Sequence, residues 1–98
     1  MKFSEVLEAL RNGERLTNST LSNDDSFIVR QVPQVVPKEV VPKMTSLPAS
    51  AKEHMNGSEI RFSDQVLLVW WSSMQEQYIA TSWNPTCRDL FREDWTIV

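Results

Sequence analysis

Trp83 and Trp95 stand on either side of a short segment, Asn84-Pro85-Thr86-Cys87-Arg88-Asp89-Leu90-Phe91-Arg92-Glu93-Asp94, which carries the densest chemical signal in the chain. Thr86 and Asp89 have the three-residue spacing of a capping box, in which a hydroxyl and a carboxylate each accept one of the unpaired amide hydrogens of a helix's first turn. Pro85 ends the strand before it. A capped helix with an indole at each end can build a stacking site; the same pattern also suits a small-domain terminus whose tryptophans are core. Asp89, Glu93 and Asp94 have the chemistry to hold a metal or act as acid and base, but a solvated face plus a cap accounts for them more simply.

Covalent catalysis finds little support elsewhere. A serine or cysteine nucleophile needs a base beside it, and the chain has one histidine, His54, no glycine-rich elbow around any serine, and only two glycines. Phosphate loops of the P-loop and dinucleotide types are absent. Cys87 is the single cysteine, which rules out an intramolecular disulfide and a cysteine-rich zinc site. His54 has no second ligand at metal spacing and reads as a surface residue. Binding is therefore the expected class of function, with no enzyme activity, cofactor or metal.

The elements that must position these residues follow from periodicity. Phe3, Val6, Leu7 and Leu10 form one stripe of an amphipathic helix, with Glu5 and Glu8 near its positive end and Gly13 placed to end it in the left-handed conformation. Arg15-Leu16-Thr17 starts a strand, Thr17 to Ser26 is polar and turn-rich, and Phe27 to Val32 is a strand stopped by Pro33. A small repeat follows, Val35-Val36-Pro37-Lys38 and Val40-Val41-Pro42-Lys43, whose prolines are expected to hold the preceding valines extended and to confine the segment to an edge. Pro48 opens a two-turn helix along Leu47, Ala51 and Met55, stopped at Asn56-Gly57. Ile60-Arg61-Phe62, Val66 to Trp71 and Gln77 to Trp83 are predicted strands, the last two paired as a hairpin with both faces of Gln77 to Trp83 covered. Trp95 to Val98 reads as a final strand. The predicted fold is α+β, an antiparallel β-sheet packed with an N-terminal amphipathic helix and two short helices, in one domain spanning 1–98.

Ninety-eight residues bury a modest core, so association with further copies would relieve the shortage. Ten Lys plus Arg against 13 Asp plus Glu give a formal charge of −3, which disfavours binding of polymeric nucleic acid. No apolar run reaches membrane length and no secretory leader is visible, so a cytoplasmic location is expected.

Three stretches in order, Met1 to Gly13, Met44-Thr45-Ser46-Leu47-Pro48-Ala49-Ser50-Ala51-Lys52, and Trp83-Asn84-Pro85-Thr86 followed by Asp89 and Asp94-Trp95, together resemble small bacteriophage proteins of the second Thoeris anti-defence family. The resemblance spans nearly the whole chain. It departs at one place: many members carry a Trp-Asn-Gly turn after the first helix and strand, where this chain reads Asn18-Ser19-Thr20-Leu21-Ser22-Asn23.

The resemblance implies a sponge: a protein that binds a cyclic ADP-ribose derivative made by a TIR-domain immune enzyme, with cyclic dinucleotides a second ligand class, and does no chemistry on it. It also implies a homo-oligomer, dimer or tetramer, with pockets between protomers. An adenine ring wants an aromatic face, which Trp83, Tyr78 and Phe27 could supply. Ribose and pyrophosphate want donors such as Arg61, Asn84 and the Thr86 hydroxyl. The expected ligand-binding set is thus Phe27, Arg61, Tyr78, Ser82, Trp83, Asn84, Thr86 and Asp89, with Trp83 left open between pocket and core. Trp70, Trp71 and Trp95 are assigned to core or subunit interface. A rival from another class is an inhibitor that covers a host protein's surface with the valine-proline arm or the Trp70-Trp71 pair.

Overall fold

The computed structural model describes residues 1–98, which group into two compact units: 1–31 with 65–98, and 32–64. In the first unit α1 (Phe3–Arg11) precedes β1 (Leu16–Thr17), β2 (Phe27–Gln31), β5 (Gln65–Ser72), β6 (Gln77–Ser82), α3 (Cys87–Phe91) and β7 (Thr96–Ile97). The second unit contains β3 (Gln34–Val36), α2 (Ala49–His54) and β4 (Ile60–Phe62).

The first unit is a five-stranded, wholly antiparallel sheet in the order β6-β5-β2-β1-β7. Its helix begins where the Lys2 amide donates to the Glu5 carboxylate, and it ends as predicted at Gly13, whose φ is +82°. The apolar stripe of α1 lies on one sheet face. Val6, Leu10, Leu16, Ile28 and Trp95 are buried there, and Phe3, Val66, Leu68 and Trp83 pack partly buried around them. Burying each of the aliphatic side chains contributes about 1.5–3 kcal/mol, so this layer is the main source of the unit's stability. The predicted α+β architecture with an antiparallel sheet is the one observed.

Trp95 shows how the C-terminal segment joins that layer. Its indole is 1% exposed, stacks edge-on against Trp83 at 5.7 Å, and donates from Nε1 to the Asp89 carbonyl at 3.1 Å. The Met1 nitrogen donates to the carbonyls of Glu93 and Trp95, which holds the start of α1 beside the same segment.

The second unit is a two-stranded ladder, Gln34↔Phe62 to Val36↔Ile60, with α2 between its strands in sequence. Val36 and Val41 are its most buried side chains. Lys52 on α2 donates to the carbonyls of Met44 and Pro42 and ties the helix to the preceding turn.

Two expectations are corrected. The repeated valine-proline pairs do not share a conformation: Val36 before Pro37 is extended, whereas Val41 before Pro42 lies in a 3-10 turn, Val41–Lys43. The Pro37 carbonyl accepts from both Val40 and Val41, and Val41 is 2% exposed, so burial and two hydrogen bonds outweigh the steric preference of a residue before proline. Second, the faces of β6 are not both covered. All of its residues except Ile79 are exposed, because β6 is an edge strand and α1 packs at β1 and β2.

Candidate functional site

The sheet face opposite α1 follows from strand alternation. Phe27, Val29 and Gln31 on β2 share it with Leu67, Val69 and Trp71 on β5 and with Tyr78, Ala80 and Ser82 on β6, through the pairs Phe27↔Val69, Val69↔Ala80, Trp71↔Tyr78 and Leu67↔Ser82. None of these side chains is fully buried. Polar groups mark one end of the face, where the Ser82 hydroxyl donates to Gln65 and the Gln65 amide donates to Gln31.

At the other end lies a cavity of about 150 Å³ lined by Arg15, Thr17, Ser22, Asp25, Ser26, Phe27, Tyr78 and Val98. Two predicted ligand residues, Phe27 and Tyr78, meet there. The Arg15 guanidinium sits 5.2 Å from the centroid of the Phe27 ring, within the range of a cation–π contact, and so places a fixed positive charge in the wall. Tyr78 is 59% exposed and its ring lies edge-on to Trp71 at 5.1 Å. A second, open cavity of about 510 Å³ shares Ser26 but lies at the loop's other side, lined by Leu21, Asp24, Trp71 and by Leu68 and Trp70, which alternation places on the α1 face.

The wall shared by both cavities is the loop from Asn18 to Ser26, and the sequence builds it with local hydrogen bonds. Asn18 Oδ1 accepts from the amides of Thr20 and Leu21, starting a 3-10 turn at Leu21–Asp24. Asp25 then turns the chain with φ at +54°, and the Thr17 hydroxyl donates to the Ser26 carbonyl at 2.8 Å to close the loop. A second tie comes from the C-terminal segment. The Asp94 carboxylate accepts from the Ser19 amide and hydroxyl, and Arg92 donates to both Asp94 oxygens and to the hydroxyls of Ser19 and Thr20. The Arg92 hydrogen bond, followed by that from the Ser19 hydroxyl, holds the Asp94 carboxyl well below the usual carboxylate range.

The other predicted residues lie elsewhere. Trp83 is on the α1 face, where it stacks on Phe3 at 6.0 Å and meets Trp95 edge-on, so its indole packs with the core layer. Thr86 and Asp89 form the capping box as read: the Thr86 amide donates to the Asp89 carboxylate at 2.8 Å and the Asp89 amide donates to the Thr86 hydroxyl at 3.3 Å. Both amides are therefore committed within the cap. Asn84 is exposed between Trp83 and the cap, and Arg61 is exposed on β4 of the second unit, opposite Val35. Arg15 is the site residue that sequence reasoning passed over; it was read only as the start of a strand, and its place over Phe27 depends on the β1–β2 register, Leu16↔Ile28.

No group of three or more His, Cys, Asp or Glu is placed to hold a metal ion, and no helix is long and apolar enough to cross a membrane. The chain is a small antiparallel α+β protein with an open aromatic sheet face and Arg15 set against Phe27. The chain belongs to the Tad2-like family, described as the Thoeris anti-defense 2-like domain, whose profile matches residues 1–98. Among curated proteins no match was found.

Proposed function

We propose that this is a bacteriophage anti-defence protein that captures a cyclic nucleotide immune signal in the host cytoplasm and holds it intact, away from the effector it would activate. The signal is a cyclic ADP-ribose derivative made by a TIR-domain enzyme, with cyclic dinucleotides as the second class. Family membership supports the anti-defence role. The observation that carries nucleotide capture is the meeting of Phe27, Tyr78 and Arg15 in one cavity.

Each partner there suits one part of such a ligand. Tyr78 and the Arg15 plane are surfaces for a purine, whose stacking on an aromatic is worth about 1–3 kcal/mol. Arg15 also neutralises phosphate charge, while Asp25 suits a ribose hydroxyl or an exocyclic amine rather than a phosphate. A sponge acts by stoichiometry and must bind well below the signal's concentration; nanomolar affinity corresponds to about 12 kcal/mol. Stacking alone falls far short of that. Ligand pockets are commonly about 300–1,000 Å³, larger than the 150 Å³ cavity, so the site is completed by a second copy of the chain.

The test is to incubate the purified protein with TIR-enzyme product, wash, denature by heat, and assay the released small molecule on the effector. Intact, active signal in the release supports capture. Release of a cleaved molecule would replace the sponge by a hydrolase, and release of nothing would leave surface blocking of a host protein as the better reading.

A further inference from the structure

The chain has two glycines, and each follows an asparagine: Asn12-Gly13 at the end of α1 and Asn56-Gly57 after α2. In such a pair the backbone nitrogen can reach the side-chain amide with least obstruction, because glycine brings no Cβ to shield it. We propose that Asn56 is a site of spontaneous deamidation and backbone isomerisation in the folded protein, and that the fold protects Asn12 from the same reaction.

The chemistry needs only water. The Gly57 nitrogen gives up its proton to solvent base and attacks Cγ of Asn56; a C–N bond forms, the Cγ–Nδ2 bond breaks, and the amide nitrogen leaves as ammonia, reclaiming a proton. The product is a five-membered succinimide. Water then opens the ring at one of its two carbonyls. Attack at Cγ leaves an aspartate in a normal backbone, and attack at the backbone carbonyl leaves an isoaspartate, whose chain runs through the former side chain and is one methylene longer.

Sequence makes the two pairs alike, and hydrogen bonding separates them. Both are exposed, and both glycines are left-handed, with φ of +82° and +79°. At the first pair the nucleophile is occupied: the Gly13 amide donates to the Leu10 carbonyl at 3.1 Å, and the Glu14 amide donates to the Ala9 carbonyl at 3.0 Å. These bonds cap a helix whose Ala9 and Leu10 are buried in the core layer, so freeing the nitrogen requires fraying the end of α1. At the second pair the Gly57 amide has no acceptor. There the Ser58 amide donates to the Met55 carbonyl at 2.9 Å, and with φ positive at Gly57 but not at Asn56 the four residues form a type II turn, whose central peptide takes no part in the closing bond. Helix α2 before it has no buried residue, so the turn can rearrange with little loss of packing. Either product adds a negative charge to a chain of formal charge −3, in the wall of a cavity that Asn56 shares with Pro42, Ala49, Lys52 and Glu53.

The inference is independent of nucleotide capture. Wild-type protein is held at mildly alkaline pH, sampled over time and digested, and the two Asn-Gly peptides are quantified by mass spectrometry, with isoaspartate identified by fragmentation. In the folded protein the Asn56 peptide should convert at least ~5-fold faster than the Asn12 peptide, the factor that one net hydrogen bond of protection gives. In urea the two rates should converge, since only the shared Asn-Gly chemistry is left. Equal rates in the folded protein, or faster conversion of Asn12, would overturn the proposal. So would an Asn56 that converts in urea and stays intact when folded, or a rate ratio that is the same in urea, which would assign the difference to flanking sequence.

Discussion

The two faces of the five-stranded sheet carry similar residues and meet different fates. On one, α1 lays Val6 and Leu10 over Leu16 and Ile28, and Trp83 and Trp95 fill the margin with Phe3. On the other, Phe27, Val29, Leu67, Val69, Trp71 and Tyr78 are also apolar or aromatic, yet none is fully buried. The difference lies in which face the helix takes. Aromatic character therefore marks candidates for both core and ligand contact, and only the packing partner separates them.

This contrast is open to direct test, beginning with the largest effect. Trp95→Ala should cost about 3–5 kcal/mol in a urea titration, since it empties a fully buried site and leaves the core contacts of Trp83 and Phe3 unfilled. A cost near that of an exposed residue would mean that the α1 face is not the principal core. Tyr78→Ala should do the opposite: leave the urea midpoint nearly unchanged and weaken binding of the cyclic nucleotide by about 1–3 kcal/mol in calorimetry, roughly 5- to 150-fold. Equal affinity for wild type and variant would remove Tyr78 from the site.

Smaller effects probe what positions each face. Thr86→Ala should destabilise by about 1 kcal/mol through loss of the α3 cap, and affinity should stay as it is, because the Thr86 hydroxyl is held within the capping box. A loss of affinity larger than the loss of stability would return Thr86 to the ligand set. Asp94→Asn should matter most at neutral pH and least in acid. A carboxyl held below its ordinary value of 3.8 adds stability that is present above that value and is lost as pH falls toward the folded one. The melting temperature of wild type should thus fall more steeply than that of Asp94→Asn as pH is lowered from about 5 to 2. Parallel curves would show that the Arg92–Asp94–Ser19 tie does not support the loop.

Much of this arrangement was legible in the residues. The stripe of α1, the left-handed Gly13, the β5–β6 hairpin and the Thr86–Asp89 cap are local features, encoded by spacings of a few residues, and each formed as read. The candidate site was legible only in part. Phe27 and Tyr78 were named for their ring chemistry, but they come together through two strand registers, β2 on β5 and β5 on β6. Arg15 carried no signal beyond its strand, and Val41 carried a misleading one, since the bias against helical geometry before proline is weaker than the burial and hydrogen bonds that hold it.

By itself the sequence determined the kind of protein: an antiparallel α+β chain of this family, with its helix starts and stops, because caps, turns and periodicity act over one or two helical turns. Tertiary structure decided which aromatic side chains are core and which stay open, since that choice depends on contacts between residues far apart in the chain. It also decided that the Trp83–Trp95 pair closes the α1 face while Phe27, Tyr78 and Arg15 gather on the other.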